Sequence, residues 1–168
     1  MKKALIVIDM QNDFIDGALQ NADAQAITEK IAAYVENFDG EIFATRDTHA
    51  ENYLSTPEGK SLPVPHCIRG TAGWEIAPAI AAALKKRNAT VLDKPTFGYL
   101  HWDVLNGIDE AELVGTCTDI CVVSNALILK AKFPALRVKV NGALCAGTSK
   151  ENHDAALRVM ACCQVEIV

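Results

Sequence analysis

Cys121 closes the run Gly115-Thr116-Cys117-Thr118-Asp119-Ile120-Cys121-Val122. Thr118 and Asp119 are residue types that cap a helix, which would place Cys121 in that helix's first turn. Free backbone N–H groups and the positive end of the macrodipole favour a thiolate there, so Cys121 is the candidate nucleophile. The same N–H groups can receive the oxyanion of a tetrahedral intermediate. Lys94, just before Pro95, supplies a cation, and Asp9, directly after the apolar run Ala4–Ile8, supplies a candidate general base. Each has a plainer role. Free cysteines are commonly small core residues, an aspartate after a strand caps the next turn, and a strand-end lysine reaches solvent. Taken singly, the plainer role is the commoner one.

A second set of residues suggests a metal. Asp47-x-His49 is followed by His66, with Glu58 midway. One carboxylate and two imidazoles suit zinc, iron or manganese, and Glu58 can add a fourth ligand. Acids and histidines are also ordinary in polar loops, and the spacing is not a diagnostic motif. The segment that holds them, Asp47–Trp74, carries Pro57, Pro63 and Pro65 and shows no helical or strand period. So long an irregular stretch in a compact domain is usually functional.

These residues must be delivered by regular elements. Ala4–Ile8, Glu41–Thr45, Thr90–Asp93, Ala111–Gly115, Leu136–Val140 and Val165–Val168 read as strands, several apolar enough to be buried on both faces. Between them run helical spacings: Ala26, Ile27, Ile31, Tyr34, Val35 and Phe38; Ile76, Ile80, Ala83 and Leu84; Val122, Val123, Ala126, Leu127 and Leu129; Ala155, Ala156, Val159 and Met160. The alternation predicts an α/β, three-layer sandwich with a mainly parallel, roughly six-stranded sheet, in a single domain over 1–168. In such sheets ligands bind beyond the carboxyl ends of the strands. Asp9, Asp47 with His49, Lys94, and the Cys117–Cys121 turn all follow strand ends, so one rim collects them.

Composition sets the outer bounds. Lysine and arginine number 16 against 21 acids, a formal charge of −5, and the richest basic run is only Lys85-Lys86-Arg87. A phosphate-neutralising face for nucleic acid is therefore not expected. Half of the residues are hydrophobic, enough for a core, but Ala4–Ile8 is too short to span a bilayer or serve as an export signal. The expectation is a cytoplasmic protein without a membrane partner. The six cysteines form no CxxC pair, and without export neither disulfides nor a cysteine zinc site is expected.

Five segments carry a family resemblance: Ala4–Phe14, Thr45–His49, Pro65–Thr71, Lys94–Phe97 and Gly115–Val122. Together they resemble the isochorismatase-like cysteine hydrolases, and most of all the nicotinamidases among them. The resemblance implies a catalytic triad of Asp9, Lys94 and Cys121. It implies a metal on Asp47, His49 and His66. Many nicotinamidases have another histidine early in this loop; here that stretch is Asn52-Tyr53-Leu54, and Glu58 matches a subgroup that uses glutamate. It also implies a cis peptide at Thr116–Cys117, aiming the Cys117 and Cys121 N–H groups into an oxyanion hole. The implied reaction converts nicotinamide to nicotinate and ammonia through a cysteine thioester, a step of NAD salvage. One divalent metal ion, zinc first with iron or manganese as alternatives, would orient the pyridine ring, and Phe14, Leu19, Phe97 and Tyr99 would wall it. Three alternatives stay open: another small amide or ureido substrate such as a carbamoyl amine, vinyl-ether hydrolysis of isochorismate, or a non-catalytic binding module. Self-association into a homo-oligomer is also left open.

Overall fold

Strand β1 (Lys3–Ile8) lies at the centre of the sheet, between β2 (Glu41–Asp47) and β4 (Glu110–Thr116). With β3 (Thr90–Lys94), β5 (Arg137–Ala146) and β6 (Glu166–Ile167) the order is β3-β2-β1-β4-β5-β6. Every pairing is parallel, so the sheet is wholly rather than mainly so. The structure is a computed structural model that describes residues 1–168.

Why β1 is apolar throughout follows from where its side chains go. Ala4, Ile6 and Ile8 join one core with Val122, Ala126, Leu129 and Met160, which belong to the turn over Thr118–Val122, helix α5 (Val123–Lys132) and α6 (Lys150–Cys162). Leu5 and Val7 join the opposite core with Ile27, Ile31 and Val35 of α2 (Ala22–Asn37) and Ile80 and Leu84 of α4 (Pro78–Lys86). Alternate residues face opposite layers, and both layers are dry. Truncating a fully buried member such as Ile6 costs about 2–5 kcal/mol. No helix is long and apolar enough to cross a membrane.

Two elements depart from the sequence expectation. Strand β5 runs six residues beyond Val140, to Ala146. Asn141 and Gly142 look like a strand end, but Asn141 donates to buried Glu112 at 3.3 Å, and a register shift between Leu113 and Gly115 lets Cys145 and Ala146 pair on β4. Gly115 makes that possible. Its φ is +120°, and a Cβ there would collide with the Ile8 carbonyl.

The second departure is inside the irregular segment. After a short α1 (Asn12–Ile15) at the rim, α3 (Pro57–Ser61) forms in the middle of the 47–74 loop. Thr56 caps it by accepting from the Gly59 N–H at 3.0 Å, and Pro57 occupies the first turn. Gly59 is the only side chain type that fits against the Tyr53 carbonyl. One turn of helix is too short to show a period, but it fixes the direction of Glu58.

Candidate active site

Asp9, Lys94 and Cys121 meet at the rim although they arrive from β1, β3 and the turn after β4. Lys94 Nζ lies 2.6 Å from Asp9 Oδ2 and 3.4 Å from Cys121 Sγ. It also donates to the Thr96 carbonyl at 3.1 Å and lies 3.5 Å from Asp47 Oδ1. The Thr45 hydroxyl donates to Asp9 Oδ1 at 2.7 Å. Lys94 and Asp9 are wholly inaccessible and Cys121 is 5% exposed. A lysine is rarely buried unless paired, so the Lys94 contacts are themselves a sign of a built site. Asp9 adopts φ +47°, a backbone conformation that non-glycine residues reach mainly where surrounding contacts hold them.

The electrostatics modify the expectation of a resting thiolate. Burial pushes the Cys121 thiol well above its ordinary value, and the Asp9 carboxylate adds to this, outweighing Lys94. Burial also raises Asp9 against the opposing pull of Lys94. Burial alone would lower Lys94, but Asp9, Cys121 and Asp47 raise it, so it stays an ammonium. Burial therefore favours the neutral thiol, and a base beside it can take the proton.

The nucleophile turn is a π turn over Thr118–Val122, preceded by a cis Thr116–Cys117 peptide bond. Neither Thr118 nor Asp119 caps it. The Thr118 hydroxyl pairs with His153 Nδ1 at 2.8 Å, and Asp119 accepts from the Thr148 N–H at 2.8 Å. Both side chains tie the turn to α6 and the loop before it instead. The Cys117 N–H finds no acceptor in the chain.

Next to the triad, Asp47, His49, Glu58 and His66 offer ligand atoms that all lie within 4.8 Å of one another. His49 Nε2 is 2.9 Å from Asp47 Oδ2 and 3.6 Å from Glu58 Oε1; His66 Nε2 is 3.6 Å from Asp47 Oδ2 and 3.9 Å from Glu58 Oε1. His66 Nδ1 sits 2.8 Å from the Val64 carbonyl, which fixes Nδ1 as the protonated nitrogen and turns the Nε2 lone pair inward. Burial would raise the Asp47 carboxyl, but His49, His66 and Lys94 hold it well below the usual range. Glu58 is raised, chiefly by burial. Three carboxylates (Asp9, Asp47, Glu58) face one ammonium in this pocket. Two imidazoles, two carboxylates and that excess of negative charge fit one divalent cation.

Both groups open on a cavity of about 460 Å³, where Cys121, Cys117, Asp47, Glu58 and His66 meet the apolar side chains of Phe14, Leu19, Leu62, Phe97 and Ile120. Tyr99, expected as a wall, does not line it. Partly buried, its ring packs edge-on against Trp102 at 5.1 Å at the margin of the core, and its N–H is held by Asn125. Leu62 and Ile120 were not anticipated, although Ile120 adjoins the nucleophile in the sequence. Gln11 was also missed. Wholly buried, it accepts from the Asp47 N–H at 2.7 Å and donates to the Asp47 carbonyl at 2.9 Å, bracketing that residue's backbone. Its signal in the sequence was its place in the Ala4–Phe14 segment, between Met10 and Asn12.

Comparison with known proteins follows the same line. The isochorismatase domain model matches residues 3–168. The nicotinamidase/pyrazinamidase of Mycobacterium tuberculosis is 33% identical, over 99% of this chain and 98% of that protein. The crystal structure of a nicotinamidase/pyrazinamidase from Bacillus subtilis superposes with a TM-score of 0.86 at 28% identity, covering all of both chains. The pyrazinamidase of Pyrococcus horikoshii, solved in complex with zinc, gives 0.83 at 29% identity over 100% of this chain and 99% of that one. A match over nearly the whole chain, on the fold and rim just described, means that this chain belongs to the isochorismatase family.

Proposed function

We propose that this chain is a nicotinamidase-like cysteine amidase that converts nicotinamide to nicotinate and ammonia, in the salvage of NAD breakdown products. The observation that carries the reading is one cavity with two chemistries on its wall: the Cys121 thiol, backed by the Asp9–Lys94 pair, and the four-donor cluster beside it. Asp9 takes the Cys121 proton as the sulfur attacks the carboxamide carbon. The backbone N–H groups of Cys117 and Cys121 hold the oxyanion. Asp9 then returns the proton to departing ammonia, and water cleaves the thioester to give the acid. Lys94 keeps the pocket's negative charge tolerable while the thiolate and Asp9 exchange that proton.

Asp47, His49, Glu58 and His66 would hold one divalent cation, zinc first with iron or manganese as alternatives, which would supply a Lewis-acidic point for the ring nitrogen. Phe14, Leu19 and Phe97 wall the ring. The zinc in the Pyrococcus horikoshii pyrazinamidase supports zinc, and the names of the relatives support the substrate class. We read residues 1–168 as one domain acting on a small diffusible amide in the cytoplasm. Ammonia release over a panel of nicotinamide, benzamide and a carbamoyl amine, with and without added metal, tests the assignment. Nicotinamide should lead by a wide margin and only with metal present. Equal turnover of the carbamoyl amine would favour the ureido alternative, and no turnover of any amide would favour a binding module.

A further inference from the structure

Among the wholly buried polar side chains at the site, the mechanism gives Asn125 no part. Asn125 lies on α5, one turn beyond the nucleophile, and is 0% exposed. Its Nδ2 donates to the Cys121 carbonyl at 2.8 Å and to the Phe97 carbonyl at 3.2 Å. Its Oδ1 accepts from the Tyr99 N–H at 2.8 Å and from Trp102 Nε1 at 3.2 Å. A carboxamide has two donors and two acceptor positions, and all four are used. Two N–H groups on one side and two carbonyls on the other also fix which way the amide faces. A helix residue needs none of these bonds for the helix itself. Three of the four reach across to residues 97–102, the irregular segment that follows β3.

That segment carries Phe97, whose ring lines the cavity while 45% exposed. No strand or helix spans 95–101, so the ring is placed by the tethers of its backbone. Those tethers are the Lys94 ammonium on the Thr96 carbonyl and Asn125 on Phe97 and Tyr99. Asn125 bonds the loop backbone at both Phe97 and Tyr99 and also the backbone of the residue that bears the thiol.

We infer that Asn125 is a positioning residue that sets substrate binding: it fixes the Phe97 wall relative to Cys121, so that an aromatic amide lies with its carboxamide over the sulfur. The inference rests on the proposed amidase activity. A wall loosened in this way weakens the hold on the ring equally before and during reaction, which raises KM and leaves kcat little changed.

The test uses the metal-loaded full chain and the substitutions Asn125→Thr and Asn125→Ala. Threonine can still bond the carbonyl four residues back, which keeps the helical contact to Cys121 while losing the loop. For Asn125→Thr, hydrogen exchange at the Tyr99 amide should accelerate at least about tenfold, which reads the tether without substrate. KM for nicotinamide should rise about tenfold while kcat changes less than about threefold, and iodoacetamide should alkylate Cys121 at the unchanged rate. Phe97→Ala should raise KM similarly, and the double variant should be no worse than Phe97→Ala alone. An unchanged KM in Asn125→Thr, with normal turnover by the unmodified chain, overturns this inference alone. So does a parallel fall of kcat and alkylation rate, which would mean that Asn125 supports the nucleophile and not the wall. An unmodified chain that turns over no amide overturns the amidase reading, and this inference with it.

Discussion

The triad and the four-donor cluster share one cavity but are built in opposite ways. Asp9, Lys94 and Cys121 come from three separate rim positions, and the sheet's hydrogen bonding brings them together; all three are buried. Asp47, His49, Glu58 and His66 come from the end of one strand and the loop that follows it, and the Glu58 side chain remains 22% exposed. The first group is held by the fold and cannot move without the sheet. The second is held by a loop, one turn of helix and its own mutual contacts. Under the proposed function, chemistry that needs fixed distances would sit on the rigid group and adjustable ligand binding on the loop.

Substitutions separate the two groups by size of effect. Cys121→Ala should remove turnover by roughly four orders of magnitude or more, with the fold intact, since alanine is well tolerated at that turn; substantial residual turnover would discard Cys121 as the nucleophile. Asp9→Asn should cost on the order of a thousandfold, and adding it to Cys121→Ala should cost little more, because the residues act as a unit. Multiplying losses in the double variant would show independent roles. His49→Ala, or a chelator, should abolish nicotinamide turnover while iodoacetamide still alkylates Cys121; loss of alkylation as well would mean that the two groups do not separate. Glu58→Ala should weaken metal binding about 10–100-fold and lower turnover only at limiting metal. Metal content unchanged in that variant, by direct metal analysis, would leave a three-ligand site.

Acid should also act on the loop group first. Burial alone would lower His66, but the Asp47 carboxylate and the Val64 carbonyl raise it above the ordinary histidine value. Only the neutral imidazole ligates, so metal affinity should fall as pH drops through a range beginning higher than for a free histidine. A titration of metal affinity that stays flat from pH 8 to about pH 6 would contradict this.

Legibility in the sequence followed the same division. The meeting of Asp9 and Lys94 was readable because strand ends are readable: strands stop beside Asp9 and at Lys94, and a parallel sheet sends every such end to one rim. The loop ligands were readable as residue types only. Nothing periodic announced α3, although Thr56-Pro57 is a start signal, so the direction of Glu58 depended on the structure. Tyr99 shows the limit from the other side. An aromatic residue two positions from one that lines the cavity looks the same in a sequence, and only the structure shows its ring against Trp102 and its backbone bonded to Asn125. The upward push on the Cys121 thiol was out of reach for a related reason: a helix start and a lysine are local features, whereas burial is a property of the whole fold.

The sheet order also dictates when the site can exist during synthesis. Asp47, His49, Glu58 and His66 all leave the ribosome before β3, and the pairing of β1 with β2 already places Asp9 near them. The other edge of β1 waits for β4, whose register with Lys3–Ile8 runs from Glu110 to Gly115. Until then an apolar strand bound for the centre of the sheet offers a row of unpaired backbone groups, the geometry that recruits foreign strands. Cys121 follows β4 almost at once. The nascent chain therefore gains Cys121 only as the open edge of β1 is sealed.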